Sequence, residues 1–224
     1  MKIMIHTCYK RRWYVNDFLI PQLLAQGIAR ESIFVWLDWS AAGNLISCAD
    51  SFRACGLVSG GTWHLQDDVV AARRFAELAE ANDDGVVCGF ANEDFGPFAA
   101  DTGRQPAKNM WNSFQCIRIP NELAYEFAGW FYTDAQHRPG EYQRYIIEKK
   151  YDDTFWRDFM LERHADMTVT NLAPNIVDHV DYILGGSVIN VGRNKEQYRA
   201  AYWEDEDLVD ELAKKVAEYK SVHR

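Results

Sequence analysis

The chain has no C-x-x-C pair. Its five cysteines (Cys8, Cys48, Cys55, Cys88 and Cys116) are odd in number and scattered, so neither a zinc cluster nor a disulfide framework is indicated, and the compartment reads as reducing. Nor is there an apolar run of about 18 residues. The apolar stretch at residues 2–5 is far too short for a signal-peptide core and runs into Lys10-Arg11-Arg12, so a cytosolic protein with no membrane span is expected. Basic charge is in the minority, with 24 Lys+Arg against 33 Asp+Glu and a net charge of −9, which disfavours a sequence-independent grip on a phosphate backbone. Neither G-x-G-x-x-G nor G-x-x-x-x-G-K-[ST] occurs, and Rossmann redox and P-loop readings lose ground accordingly. Repeats, low-complexity tracts and Ser/Gly-rich linkers are missing too, so residues 1–224 are expected to form one domain.

What remains is an ordinary globular composition, 48% apolar and 25% charged, in a chain long enough for a substantial core. Aromatics reach 14%, more than a core of this size usually needs, and aromatic faces are common in grooves that hold sugars or bases. The spacing predicts a strand at residues 2–6, a helix over 13–26 that Pro21 should kink and Gly27 should end, and a strand over 32–37 closed by Asp38. That order is the βαβ unit of a parallel sheet. Further strands are predicted at 62–66, 86–90, 111–119 and 166–170. Helices are predicted at 69–81, from Asn121 as cap, 141–149, 154–163 and 207–220, while 91–110 reads as a long loop and the small-residue-rich stretch 40–61 stays open, a helix at 44–55 being one reading of it.

Ligands of open α/β sheets bind beyond the carboxyl ends of strands, and that rule selects the candidates. Thr7, Arg11 and Arg12 follow the first strand; the arginines could clamp a diphosphate in planar bidentate fashion or form a solvated basic turn. Asp38 follows the second and could hold a ribose hydroxyl or base edge, or simply end the strand. Asp67-Asp68 follow the strand at 62–66. Adjacent carboxylates there suit Mg²⁺ or Mn²⁺ shared with substrate phosphates, unless one of them caps a helix beginning at Val69. Asp152-Asp153 open a late helix, as caps or as a general base for an acceptor hydroxyl. His179 follows the Pro174 turn as a ligand or a structural histidine.

Three stretches, taken in chain order with the opening βαβ unit, resemble glycosyltransferases of the GT-A fold, especially small bacterial and phage-encoded ones. Thr62-Trp-His-Leu-Gln-Asp-Asp-Val-Val70 is similar to the acidic strand-end motif that binds metal and nucleotide-sugar diphosphate. Tyr151-Asp-Asp-Thr-Phe-Trp156 resembles the late acidic pair where inverting members place their base. Leu172-Ala-Pro-Asn-Ile-Val-Asp-His179 is similar to a segment supplying a late histidine near the metal. The resemblance implies a three-layer α/β/α fold with a mostly parallel central sheet. It also implies a Mn²⁺ or Mg²⁺ ion held by Asp67, Asp68 and His179, and Asp153 as base with Asp152 as its substitute. Thr7, Arg11, Arg12, Asp38 and Asp67 would border a nucleotide-sugar donor such as a UDP-sugar. Gln66 departs from the pattern, standing where a third acidic residue is often found, and Trp63 and Trp111 are candidates for a sugar groove, with core packing the favoured account for Trp63 within its strand. The implied reaction is transfer of the sugar to a hydroxyl on a glycan, a protein or a modified nucleobase. A non-catalytic nucleotide-sugar or glycan-binding module is the alternative of another class; a nucleotidyltransferase is disfavoured because the loop at residues 7–12 has no glycine.

Overall fold

The computed structural model describes residues 1–38, 44–91, 103–109, 114–138, 140, 152–186 and 199–222. Among them, β1 (Ile3–Cys8), β2 (Ile33–Asp38), β3 (Gly61–Gln66), β5 (Val86–Cys88), β6 (Gly103–Pro106), β7 (Cys116–Pro120) and β8 (Thr168–Asn171) form one mixed sheet in the order β2-β1-β3-β7-β5-β8-β6. β4 (Val69–Ala71) and β9 (Val177–His179) form a separate antiparallel ribbon. In the large sheet β2, β1 and β3 run parallel, β7 reverses, β5 and β8 resume the first direction, and β6 reverses again at the edge. The sheet is therefore mostly parallel, with helices on both faces.

Period-2 alternation along the strands divides the apolar residues between two cores. Ile3, Ile5, Trp63 and Leu65 face one, with Leu19, Leu23, Phe75 and Val216; Met4, Ile117 and Ile119 face the other, with Phe52, Phe127, Trp156 and Phe159. The first core is closed by helices α1 (Arg12–Tyr14), α2 (Ile20–Ala25), α4 (Phe75–Ala81) and α8 (Glu206–Val222). The second is closed by α3 (Asn44–Gly56), α5 (Asn121–Thr133) and α6 (Asp152–Arg163).

Several elements differ from expectation, each for a physical reason. The kink expected at Pro21 is taken up by a π turn over Val15–Leu19 between α1 and α2. Pro21 has no N–H to bond back into the preceding turn, and a wider turn absorbs the mismatch. The helix expected over 69–81 starts only at Phe75, because Val69–Ala71 are a buried strand. Asn121 is the first residue of α5, with Pro120 in the cap position. Residues 103–106, expected as loop, are the edge strand β6. The predicted strand over 111–119 is confined to Cys116–Pro120 within the described residues, and the helix expected at 141–149 lies outside them.

Candidate functional site

The β1–β3 register sets His6 beside Gln66, so that Thr7 and Asp67 emerge together at the carboxyl rim of the two strands. There the Thr7 hydroxyl donates to Asp67 Oδ2 at 2.8 Å and the Cys8 backbone N–H donates to the same oxygen at 3.1 Å. Both hydrogen bonds fix the Asp67 carboxylate against the end of β1.

Asp68 is positioned by the ribbon that succeeds it in the chain. β4 pairs with β9 in the register Val69↔His179, and the Val180 N–H donates to the Asp68 carbonyl at 2.8 Å. The other side of this segment is claimed by helical side chains. Tyr14 Oη donates to the Val69 carbonyl at 2.8 Å. Gln22, at 2.8 and 3.0 Å, both donates to and accepts from the Ala71 backbone, and Gln26 does the same for the Ala72 carbonyl and the Ala76 N–H. With its backbone groups met on both sides, residues 69–71 cannot join a helix, and Asp68 is not a helix cap.

The ribbon also fixes His179, whose Nε2 stands 3.2 Å from Asp68 Oδ2. Two residues further, Asp181 opens the short helix α7 (Asp181–Leu184) and is fully buried. Single ligand atoms of Asp68, His179 and Asp181 all lie within 4.8 Å of one another. Asp67 and Asp68 keep side-chain exposures of 15% and 18%, so the cluster has an opening to solvent.

Arg11 enters the cluster from the loop after β1 and is only 4% exposed. Its Nη2 donates to Asp181 Oδ1 and, at 2.9 Å, to the Gly186 carbonyl, which the left-handed Gly185-Gly186 turn brings into reach. Its Nη1 lies 3.8 Å from Asp67 Oδ1 and 3.6 Å from Asp68 Oδ2. Burial works against the guanidinium charge, but the three carboxylates outweigh it and push the Arg11 pKa upward. Burial pushes the Asp67 carboxyl up to about 6; Arg11 draws it down and Asp68 adds to the rise.

The structure thus brings together Thr7, Arg11, Asp67, Asp68 and His179, residues spread over most of the chain. Arg12 is exposed, and Asp38 is half-buried as the last residue of β2, paired in register with Cys8. Asp152 and Asp153 form the first turn of α6 instead of preceding it. Asp153 is 6% exposed, on a helix whose Phe155, Trp156 and Phe159 pack in the second core, across the sheet from the helices around Arg11. Trp63 is wholly buried in the first core, so it lines no groove, and Trp111 lies outside the described residues. Sequence reasoning missed Asp181 and the Gly186 carbonyl. The signal for Asp181 was its i, i+2 spacing from His179 in His179-Val-Asp181.

Oxygen donors from two carboxylates and one imidazole nitrogen form a set that Mn²⁺ accepts readily, with Mg²⁺ less suited to the nitrogen. The charge balance agrees. Among the described residues, and apart from the imidazole, three carboxylates and one guanidinium sum to −2, so the cluster attracts further positive charge.

No family model matches the chain, and no curated protein matches it in sequence. Among solved structures it is similar to the glycosyltransferase GlyE of Streptococcus pneumoniae TIGR4, with a TM-score of 0.43 and 11% identity over 76% of this chain. It is also similar to A197 from STIV (TM-score 0.41, 13% identity, 80% of this chain and 85% of that one). A third is a glycosyltransferase involved in the glycosylation of the major capsid of PBCV-1 (TM-score 0.38, 8% identity, 76% and 94%). The chain spans 45% of the length of the GlyE structure. Likenesses at this level assign no residue a role.

Proposed function

We propose that the chain is a metal-dependent glycosyltransferase that moves a sugar from a nucleoside-diphosphate sugar, with UDP as the carrier, to an acceptor hydroxyl in the cytosol. The observation that carries this reading is the meeting of Asp67, Asp68, His179 and Asp181 at the carboxyl rim of β1 and β3, with a residual charge of −2 beside a solvent opening. Asp68 and His179, with Asp181, would hold Mn²⁺ or Mg²⁺, and Asp67, oriented by Thr7 and the Cys8 N–H, would lie beside it. A bound cation supplies Lewis-acid neutralisation of the charge that develops on the departing diphosphate. Arg12 and Asp38, at the start of α1 and at the end of β2, would border the nucleotide, and Asp153, or Asp152 beside it, would take the proton from the acceptor hydroxyl. The acceptor would be a glycan, a protein or a modified nucleobase; no helix among the described residues is long and apolar enough to cross a membrane.

The test separates the two carboxylate roles. Asp68→Asn is expected to abolish both Mn²⁺-dependent UDP binding and hydrolysis of a UDP-sugar. Asp153→Asn is expected to retain binding and lose transfer to a hydroxyl acceptor. Wild-type turnover in excess chelator would count against the proposal. One observation favours the binding-module reading: Arg11 already neutralises part of the acidic cluster. Calorimetry that finds tight, metal-indifferent UDP binding with no hydrolysis of any UDP-sugar would decide for the module.

A further inference from the structure

Arg11 is placed as no surface arginine would be. It is 4% exposed, and Nη2 is committed to Asp181 and to the Gly186 carbonyl. Nη1, however, makes no hydrogen bond among the described residues. It faces Asp67 Oδ1 and Asp68 Oδ2 at 3.8 and 3.6 Å, roughly 0.8 Å beyond the usual length of a charge-assisted hydrogen bond. A buried guanidinium edge held at Coulomb range from two carboxylate oxygens, without closing on either, fills the electrostatic place of a cation in the cluster.

The same oxygens serve two sets of partners. Asp181 is the anchor of Nη2 and a member of the Asp68–His179–Asp181 triad; Asp68 Oδ2 faces both Arg11 Nη1 and His179 Nε2. Donor atoms around one six-coordinate ion at about 2.1–2.2 Å stand roughly 3.0–4.4 Å apart. The triad, with its donor atoms inside 4.8 Å, is within a few tenths of an ångström of that spacing. An ion at its centre would bring a double positive charge within a few ångströms of the guanidinium, and it would draw on the carboxylates that now balance Arg11.

We infer that Arg11 is a built-in counter-ion of the acidic cluster, and that a divalent cation binds by displacing its guanidinium from among Asp67, Asp68 and Asp181. The inference rests on the proposed metal site and deepens it: affinity for the ion is set as much by a competing arginine as by the ligands. Removing the arginine charge should therefore strengthen cation binding, whereas an arginine that only braced the ligands would give the opposite effect.

The experiment is a Mn²⁺ titration of the full chain, monitored by the electron paramagnetic resonance signal of the free ion, on wild type, Arg11→Gln and Arg11→Lys, with thermal melting in chelator and in Mn²⁺. Arg11→Gln is expected to bind Mn²⁺ at least about tenfold more tightly than wild type, while Arg11→Lys, which keeps the charge, does not. Equal or weaker binding by Arg11→Gln overturns the inference. If Arg11→Gln unfolds in chelator, recovery of a cooperative melt on adding Mn²⁺ supports it, because the ion then replaces the guanidinium. A variant that stays unfolded with Mn²⁺ shows that the two are not interchangeable and overturns it. UDP binding by the wild type scores the transferase reading separately. Mn²⁺-dependent UDP binding with a weaker Arg11→Gln site sinks the counter-ion alone, whereas absence of Mn²⁺ binding in all three proteins removes the metal from both readings.

Discussion

Asp68 should be nearly dispensable for folding and indispensable for cation binding, and the geometry gives the size of each effect. Asp68→Asn removes an attraction to Arg11 Nη1 at 3.6 Å, about 4.5 kcal/mol at an effective dielectric of about 20. It also removes the repulsion from Asp181, whose ligand atom lies within 4.8 Å, about 3.5 kcal/mol or more on the same scale, together with a further repulsion from the adjoining Asp67. The attraction to Arg11 and the repulsion from Asp181 offset each other to within about 1 kcal/mol, and asparagine keeps a hydrogen-bonding oxygen for the His179 side. Asp181→Asn is different. It breaks the direct ion pair of a buried arginine and leaves the guanidinium in place, so a loss of about 3 kcal/mol is expected. Differential scanning calorimetry in chelator at pH 7.5 should find Asp68→Asn within about 3 °C of wild type and Asp181→Asn lower by about 6–12 °C. A Mn²⁺ concentration a hundredfold above the dissociation constant should stabilise wild type by about 2.7 kcal/mol and Asp68→Asn not at all. A chelator-independent loss above about 3 kcal/mol in Asp68→Asn would refute the reasoning, since Asp68 would then be a structural anchor.

Asp67 and His6 make opposite demands on pH. The Asp67 carboxyl, pushed up to about 6 by burial, keeps its proton longer in the folded than in the unfolded chain, so its contribution to stability falls as pH rises from about 4 to about 6. His6, buried and pushed down to about 4 against the pull of Asp38 and Asp68, must charge on unfolding in acid, so its contribution falls as pH drops from 6.5 toward 4. Asp67→Asn removes the first slope only; its stability, measured by urea unfolding, should rise with pH across this window more steeply than wild type by about 1.4 kcal/mol per unit. A Cβ at Gly89 would stand 2.6 Å from Ile176 Cγ1 and 2.7 Å from Cys116 Sγ. Gly89→Ala should therefore cost about 1–3 kcal/mol and weaken Mn²⁺ binding, because Ile176 leads directly into β9 and His179; unchanged Mn²⁺ affinity would show that β9 is not positioned through this contact. Trp13 stacks on Tyr219 at 4.9 Å with Lys220 over its ring, so Trp13→Ala should release the C-terminal end of α8, seen as faster amide exchange over 214–222 with the cluster's Mn²⁺ affinity kept.

The parts of this molecule that were legible in the sequence are those whose signal is local. The opening βαβ unit, the C-terminal helix and the acidic pair at the end of β3 announce themselves in a few adjacent residues. Residues 69–81 misled for the same reason: Ala71, Phe75 and Leu78 repeat at helical spacing, and nothing within that window shows that Val69-Val70 will be claimed by residues 177–179 on one side and by Tyr14, Gln22 and Gln26 on the other. The glutamines were visible at i, i+4 on a helix, but their partner was not.

Arg11 carries the point furthest. A solvated arginine in the turn Tyr9-Lys10-Arg11-Arg12 and one held among three carboxylates have the same neighbours in sequence, and Arg12, one residue on, is in fact exposed. What separates them is the placement of β3 beside β1 and the folding of β9 back onto β4, two long-range pairings that bring Asp67, Asp68 and Asp181 to one rim. These pairings set an order of dependence. The ribbon fixes His179 and Asp68, the βα loop delivers Arg11 into their field, and the cation affinity of the cluster is the difference between two competing counter-charges. A change at any of the three should therefore move metal affinity, while only changes that strand a buried charge, such as Asp181→Asn, should move the fold with it.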